Sequence, residues 1–315
     1  RDIYSRYDDS VMTVERGAPR FVRRARGAAP YPVKLPVKGA QVLACGAEEK
    51  NTFCLARDEY AFVSQHIGDM ENLETMEHFT GTLELYKKLF RIEPEIISCD
   101  LHPDYLPTKY AKEEAARTGL PLMEVQHHHA HIAACLADNG VNEKVIGVSL
   151  DGTGYGDDGA IWGAELFLAD RGTDWPRLCH LDYVPLAGGA QAVRQPWRMA
   201  AVWLEAAGMD PYDVPGFGEK LKGEEWGLVR VAAERQINSP PTSSGGRLFD
   251  AVAAMLGLRW TAFYEGQPAV ELEQLADPAD AGGYALELDT ARNPWRWDPR
   301  HRPGRRAVPA PPRAG

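Results

Sequence analysis

An α/β fold of two successive lobes is what this sequence predicts, and three observations carry it. Short apolar runs bounded by turn residues alternate with segments of helical period. The order strand, strand, strand, helix, strand occurs once between residues 41 and 126 and begins again at residue 144. At 315 residues the chain is also about twice the common domain length of ~150.

Composition narrows the classes. Hydrophobic residues at 44%, aromatics at 9% and charged residues at 25% are ordinary for a globular protein and exclude a fibrous or collagen-like chain. No run approaches ~18 apolar residues, so no membrane span is expected. The net charge of -10 and pI near 5.4 argue against a general nucleic-acid binder, which needs a basic surface. Five cysteines without C-x-x-C spacing read as reduced thiols of a cytoplasmic protein. The chain opens at Arg1 with no charged-then-apolar leader, the pattern of a piece of a longer protein.

The elements follow in order. Residues 1–15 read as the end of a preceding domain, and 16–40 as a linker, because Pro30, Pro32 and Pro36 favour an extended, hydrogen-bond-poor connection. The first lobe is placed at 41–143. Its opening is a β-β-β meander: QVLAC at 41–45, then two strands within 51–65 around an Arg57-Asp58-Glu59 turn. Residues 71–90 set Leu73, Met76, Phe79 or Thr80, Leu83, Tyr86 and Phe90 on one helical stripe. EIISCD at 95–100 is a buried strand, a helix follows near 108–117, and PLMEVQ at 121–126 is a strand entering a helix at His127.

The second lobe is placed at 144–290. KVIGVSLDG (144–152), AIWGAELFLA (160–169) and RLCHLDYVPL (177–186) are its strands, with helices near 196–207, 219–235 and 246–257 and a strand at 284–288. No further helix-strand unit follows. Residues 291–315 read as a disordered tail: from residue 292 on, seven arginines stand against Asp298 alone, with six prolines. Two such lobes suggest the duplicated ribonuclease H-like architecture of the actin, sugar-kinase and heat-shock-chaperone (ASKHA) class, with the second lobe incomplete.

Chemistry concentrates in Gln126-His127-His128-His129-Ala130-His131, at a strand-to-helix junction. Helical positions i and i+4 share a face, so His127 and His131 can offer two imidazoles to one metal. A histidine cluster facing solvent at a helix end is the alternative. Asp151, in Leu150-Asp151-Gly152-Thr153-Gly154, closes a strand where open α/β sheets bind ligands, and Gly152 and Gly154 permit close backbone approach. A Gly-rich hairpin capped by Asp151 fits the same residues. Lys50 stands at the lip of a turn able to cradle phosphate, or of a plain polar hairpin. His102 closes another strand as a ligand contact or a structural histidine. Ser244-Gly245-Gly246-Arg247 opens a helix as an anion-friendly terminus, with Asp250 one turn on able to accept from ribose hydroxyls; alone it is a good N-cap.

CGAEEKNTFCL, SQHIGDMENLE, CDLHPDY, VQHHHAHIAACLA, SLDGTGYGDDGAIWGAE, TSSGGRLFDAVAAMLGL and YEGQPAVELE together resemble the carboxyl-terminal domain of the HypF family, the carbamoyltransferases of nickel-iron hydrogenase maturation. The resemblance runs from about residue 1 to 290, and RDIYSRYDDSV is similar to the end of the family's YrdC-like domain. It implies a transferase that takes a carbamoyl group from carbamoyl adenylate, itself made from carbamoyl phosphate and ATP, and passes it to the carboxyl-terminal cysteine of HypE. It implies one divalent metal, zinc or iron, on His127, His131 and Asp151. It further implies a nucleotide or substrate site including Lys50, His102, Gly152, Gly154, Gly245, Gly246, Arg247 and Asp250. Pro107 departs from the family's usual Ser, and the family's later Ser-Gly-Gly loop and Asp-Gly-Gly metal ligand are missing from the Arg/Pro stretch. The alternatives are a small-molecule O-carbamoyltransferase and an inactive binding module.

Overall fold

The computed structural model describes residues 5–298 apart from 16, 171, 173, 278, 281 and 283–286. The chain divides between Glu143 and Lys144 into two compact units. In the first, β1 (Val11–Glu15) and β2 (Ala18–Arg23) form an antiparallel hairpin. Then come β3 (Val33–Ala44), β4 (Cys54–Val63), α1 (Leu73–Phe90), β5 (Ile96–Asp100), α2 (Leu106–Thr118), β6 (Leu122–Val125) and α3 (His127–Asp138). Their four-stranded sheet runs β4-β3-β5-β6, antiparallel between β3 and β4 and parallel from β3 through β5 to β6. Both parallel connections run through a helix, which leaves the carboxyl ends of β5 and β6 side by side.

Three expectations are corrected here. The linker placed at 16–40 contains β2 and the first eight residues of β3, where Val33 pairs with Ala61 and Lys34 with Tyr60. The first lobe's sheet therefore begins at Val33, not residue 41. Pro36 is accommodated where the register between Lys34 and Gly39 is already irregular, so the lost N–H costs no regular ladder bond. The two strands expected within 51–65 are one, because Asp58 takes a left-handed conformation (φ 54°) opposite Gly39 and absorbs the turn as a bulge.

Helix α1 begins where Asn72 caps it, its Oδ1 accepting from the Thr75 N–H at 2.9 Å. It ends at Arg91 in the left-handed region, with Lys87 and Lys88 complementing the last carbonyls. Phe79, Leu83 and Tyr86 are buried as the stripe predicts, but Leu73 at the first position is exposed. Their core includes Leu43, Phe53, Leu55 and Ile97. The Phe53 ring meets Phe79 edge-on at 5.5 Å, and each fully buried Phe contributes roughly 1.5–3 kcal/mol.

In the second unit, β7 (Val145–Tyr155), β8 (Ile161–Ala169) and β9 (Arg177–Leu181) form an antiparallel meander. There follow β10 (Val184–Pro185), α4 (Ala190–Arg194), α5 (Pro196–Ala206), α6 (Gly223–Glu234), β11 (Pro241–Thr242), α7 (Gly245–Met255), α8 (Gln267–Leu275), β12 (Glu287–Asp289) and β13 (Trp295–Asp298). The core gathers α5, α6 and α7 around Trp197, Trp203, Phe217 and Ala251. Among the described residues β7 has a ladder partner on one side only, β8. Its Ile146, Val148 and Leu150 alternate outward and are more than half exposed.

The tail expected from residue 291 is corrected as far as residue 298. Trp295–Asp298 is a strand, paired parallel with β9 through Trp297 and Leu181, and antiparallel with β12. Trp297 packs against the core while Arg296 reaches Asp182 at 3.3 Å, so one packed aromatic, one ion pair and two strand pairings order a segment whose Arg/Pro content suggested none. The rest of that stretch, 299–315, lies outside the described residues, as do most of the residues of the strand expected at 284–288. The helix expected over 219–235 begins at Gly223, preceded by a separate 3-10 turn at Gly218–Lys220. Among the described residues no helix is long and apolar enough to cross a membrane.

Candidate metal centre

Strand β6 ends at Val125 and helix α3 starts two residues on, with Gln126 between. Gln126 caps that helix: its Oε1 accepts from the N–H groups of His128 at 2.6 Å and His129 at 3.1 Å. The cap fixes the first turn and sorts the histidines. His128 is fully buried beside the Gln126 amide, a structural histidine. His127 and His131, one turn apart, bring their Nε2 atoms to 3.1 Å with ring centroids at 4.7 Å. Two Nε2 atoms bound to one ion at ~2.0–2.1 Å lie about 3 Å apart, so this donor pair fits a divalent cation without rearrangement.

His127 is held from behind. Its Nδ1 lies 2.6 Å from Oδ2 of Asp100, the last residue of β5, which pairs with Val125 of β6. Asp100 is nearly buried, and its Oδ1 accepts from the His102 N–H at 2.8 Å. Sequence reasoning singled out His102 and passed over Asp100. The available signal was a carboxylate ending a buried strand beside the strand that feeds the histidines. His102 itself stacks on Tyr105 at 4.0 Å, and burial pushes its imidazole below the usual histidine value.

Lys50 lies in the turn after β3, its N–H donating to Asp69 Oδ1 at 2.7 Å and its exposed ammonium 3.8 Å from Glu49. In the same turn Glu48 accepts from the Leu106 N–H at 2.8 Å and so caps α2 from a distance. Burial raises the Glu48 carboxyl.

Asp151 belongs to the second unit, in a bulge of β7. The register with β8 shifts between Leu150, opposite Ala164, and Gly154, opposite Trp162, so 151–153 stand out of the ladder. The amino end of α7 seats on this bulge. Ser244 Oγ donates to the Gly152 carbonyl at 2.5 Å and caps its own helix by accepting from the Arg247 N–H at 3.0 Å. Glycine is required for the fit: a Cβ on Gly163 would lie 2.5 Å from the Asp151 carbonyl oxygen and 2.9 Å from Ser244 Cα. Both are backbone atoms that cannot step aside. Gly163→Ala is expected to cost about 1–3 kcal/mol, read as a lowered melting temperature. Gly152, Gly154, Gly245, Gly246 and Arg247 are thus gathered in one unit, and Arg247 forms a buried ion pair with Asp250 at 2.8 Å. Burial pushes the Asp250 carboxyl up to about 6, with Arg247 pulling the other way.

A second polar group of this unit was not foreseen. Glu165, fully buried in β8, accepts from Ser243 Oγ at 2.5 Å and Arg177 Nη2 at 3.0 Å. Arg177 stacks on Trp162, its guanidinium carbon 3.7 Å from the ring centroid, and its Nη1 donates to Tyr183 at 2.9 Å. Asp158 accepts from both Trp162 and Tyr183. The signal was a glutamate within the apolar run AIWGAELFLA, since a buried charge requires a partner. Burial raises the Glu165 carboxyl to about 7, against the pull of Ser243 and Arg177. The thiols of Cys45, Cys54, Cys99 and Cys179 are likewise raised by burial and stay protonated near neutrality.

Two α/β units, with paired imidazoles at a helix start in the first and a glycine-lined carboxylate in the second, define a Kae1-like architecture of the ASKHA type. Two family models match: "HypF Kae1-like domain" over residues 37–138 and "Carbamoyltransferase, Kae1-like Domain, second subdomain" over 147–303, past the limit of 290 expected from the motifs. The chain belongs to the family of HypF carbamoyltransferase Kae1-like domains. Carbamoyltransferase HypF2 of Cupriavidus necator is 47% identical over 281 residues, covering 88% of this chain and 34% of the relative. Carbamoyltransferase HypF of Rhizobium leguminosarum bv. viciae is 42% identical, covering 91% and 37%. A crystal structure of full-length HypF in a phosphate- and nucleotide-bound form matches with TM-score 0.85 at 42% identity, over 95% of this chain and 46% of that one. That of T. kodakarensis HypF matches with TM-score 0.78 at 34% identity, over 90% and 38%. The chain spans about a third of the length of these two curated relatives.

Proposed function

We propose that the chain is the carbamoyl-transfer portion of a hydrogenase-maturation enzyme, acting in the cytoplasm. The donor is carbamoyl adenylate, formed from carbamoyl phosphate and ATP, and the acceptor is the carboxyl-terminal cysteine of HypE. The observation that carries this reading is the His127–His131 pair, two imidazole nitrogens 3.1 Å apart at the start of a helix in a chain of this family. A relative whose structure is nucleotide-bound supports a nucleotidyl donor.

In this reading His127 and His131 hold one zinc or iron ion, and Asp151 is the carboxylate ligand. Imidazole and carboxylate donors suit either metal. The chemistry that such an ion supplies is neutralisation of phosphate charge and polarisation of the acyl group. Gly152, Gly154, Gly245 and Gly246 let backbone approach the nucleotide. Arg247 brings positive charge and Asp250 accepts from the ribose. Lys50 and His102 belong to the substrate side. The acceptor's thiolate attacks the carbamoyl carbon, a C–S bond forms, the C–O bond to phosphate breaks, and AMP departs with the electron pair.

The test supplies zinc-loaded chain with synthetic carbamoyl adenylate and either a HypE carboxyl-terminal peptide or a sugar alcohol. Mass spectrometry is expected to find one carbamoyl group on the peptide cysteine. Transfer to the sugar alone would make the chain a small-molecule O-carbamoyltransferase, and failure of the metal-loaded protein to bind the adenylate would make it an inactive binding module.

A further inference from the structure

We infer that Asp100 is a positioning residue for His127: it fixes the imidazole as the Nδ1–H tautomer and so turns the Nε2 lone pair toward His131. The inference rests on the metal reading above, and it adds a residue which that reading lacks. An imidazole carries one proton on either of two nitrogens, and only the unprotonated one binds a cation. Left to itself the ring distributes that proton between them. A carboxylate has no proton to give, so the 2.6 Å contact between Asp100 Oδ2 and His127 Nδ1 places the proton on Nδ1.

The carboxylate is itself constrained. Asp100 ends β5, 7% exposed; its Oδ1 accepts from the His102 N–H at 2.8 Å, and its carbonyl accepts from Thr108 Oγ1 at 3.1 Å. It therefore cannot swing away from the ring without giving up a second bond. The parallel pairing of Asp100 with Val125 then sets where His127 stands, two residues beyond that strand. The 3.1 Å between the two Nε2 atoms adds a steric reason, because two N–H groups cannot point at each other across that gap. One ring must present a lone pair, and Asp100 decides that it is His127. Carboxylates placed behind metal-binding histidines set ring orientation and basicity in this way, and removing one typically costs about 10–100-fold in metal affinity.

The test uses the whole chain and two readouts. In metal-free protein with labelled imidazole nitrogens, two-bond 1H–15N correlations report the tautomer of His127. It is expected to be Nδ1–H in the parent, to lose that preference in Asp100→Ala, and to lose part of it in the near-isosteric Asp100→Asn. Zinc affinity, by competition with a chelating dye, is expected to fall about 10–100-fold in Asp100→Ala and less in Asp100→Asn. Thr108→Ala, which removes a hydrogen bond to the Asp100 carbonyl and leaves the Asp100 carboxylate its partners, should move neither readout. An unchanged tautomer in both Asp100 variants overturns the inference, as does a loss of affinity matched by Thr108→Ala. Failure of the parent to bind zinc would instead sink the metal reading, and the tautomer measurement would still judge Asp100.

Discussion

On the proposed metal reading, alanine at His127 or at His131 is expected to lower zinc content sharply, while alanine at His128 is expected to leave it intact and weaken the fold. The cause is burial: the His128 ring lies edge-on behind His127, with centroids 5.4 Å apart, and is fully enclosed beside the Gln126 amide. His127 and His131 face one another at 3.1 Å, whereas His128 is among the largest fully buried side chains. Either substitution removes one of the two imidazoles and leaves the other with Asp151 alone, so bound zinc after dialysis should fall at least tenfold in either variant, on the scale of ligand-shell losses. Truncating His128 opens a cavity in the packed interior and should cost about 3 kcal/mol, read in urea unfolding. Equal metal loss in all three variants, or none, in elemental analysis would refute the assignment.

Arg177→Ala is expected to be the most destabilising substitution in the second unit, by about 3–5 kcal/mol. The guanidinium is the cation that offsets Glu165 in a site where both are shielded from water, and it also stacks on Trp162. Its removal leaves a buried carboxylate without its cation, held by neutral donors such as Ser243 Oγ and the Gly163 backbone. The effect has a pH signature. The Glu165 carboxyl is raised from 4.5 to about 7 in the fold, so the folded state binds the extra proton. The stability linked to it is fully present below 4.5 and lost as pH rises through about 7. Without Arg177 the carboxyl moves higher still, so the loss should be larger at pH 8 than at pH 5. Urea midpoints at the two pH values decide it: a deficit independent of pH would mean that stacking on Trp162, not charge compensation, is what Arg177 supplies.

How much of this was legible in the sequence depended on whether a signal was local. Helix α3 and its histidines were readable because a strand, a polar cap and an i, i+4 pair lie within ten residues. So were β7, β8 and β9, whose apolar runs are bounded by turn residues. What escaped depends on partners distant in the chain. Prolines near residue 33 suggested a linker, yet β4 supplies Val33 with a partner at Ala61. Arg/Pro content hid β13, which β9 and the packed Trp297 order. Asp58 marked a turn locally and became a bulge because the ladder with β3 continued past it. The supporting shell of the site was equally hidden: Asp100 lies 27 residues from His127 and Ser243 lies 78 from Glu165, distances no periodicity reports.

Strand β7 sets a practical condition on every measurement above. Among the described residues its edge away from β8 has no ladder partner beside Ile146, Val148 and Leu150, and Val145–Leu150 carries no lysine, proline or inward charge to repel a second strand. Such a rim recruits whatever extended segment is most concentrated, including its own copy, so metal stoichiometry and unfolding midpoints belong at dilute protein, checked for independence of concentration.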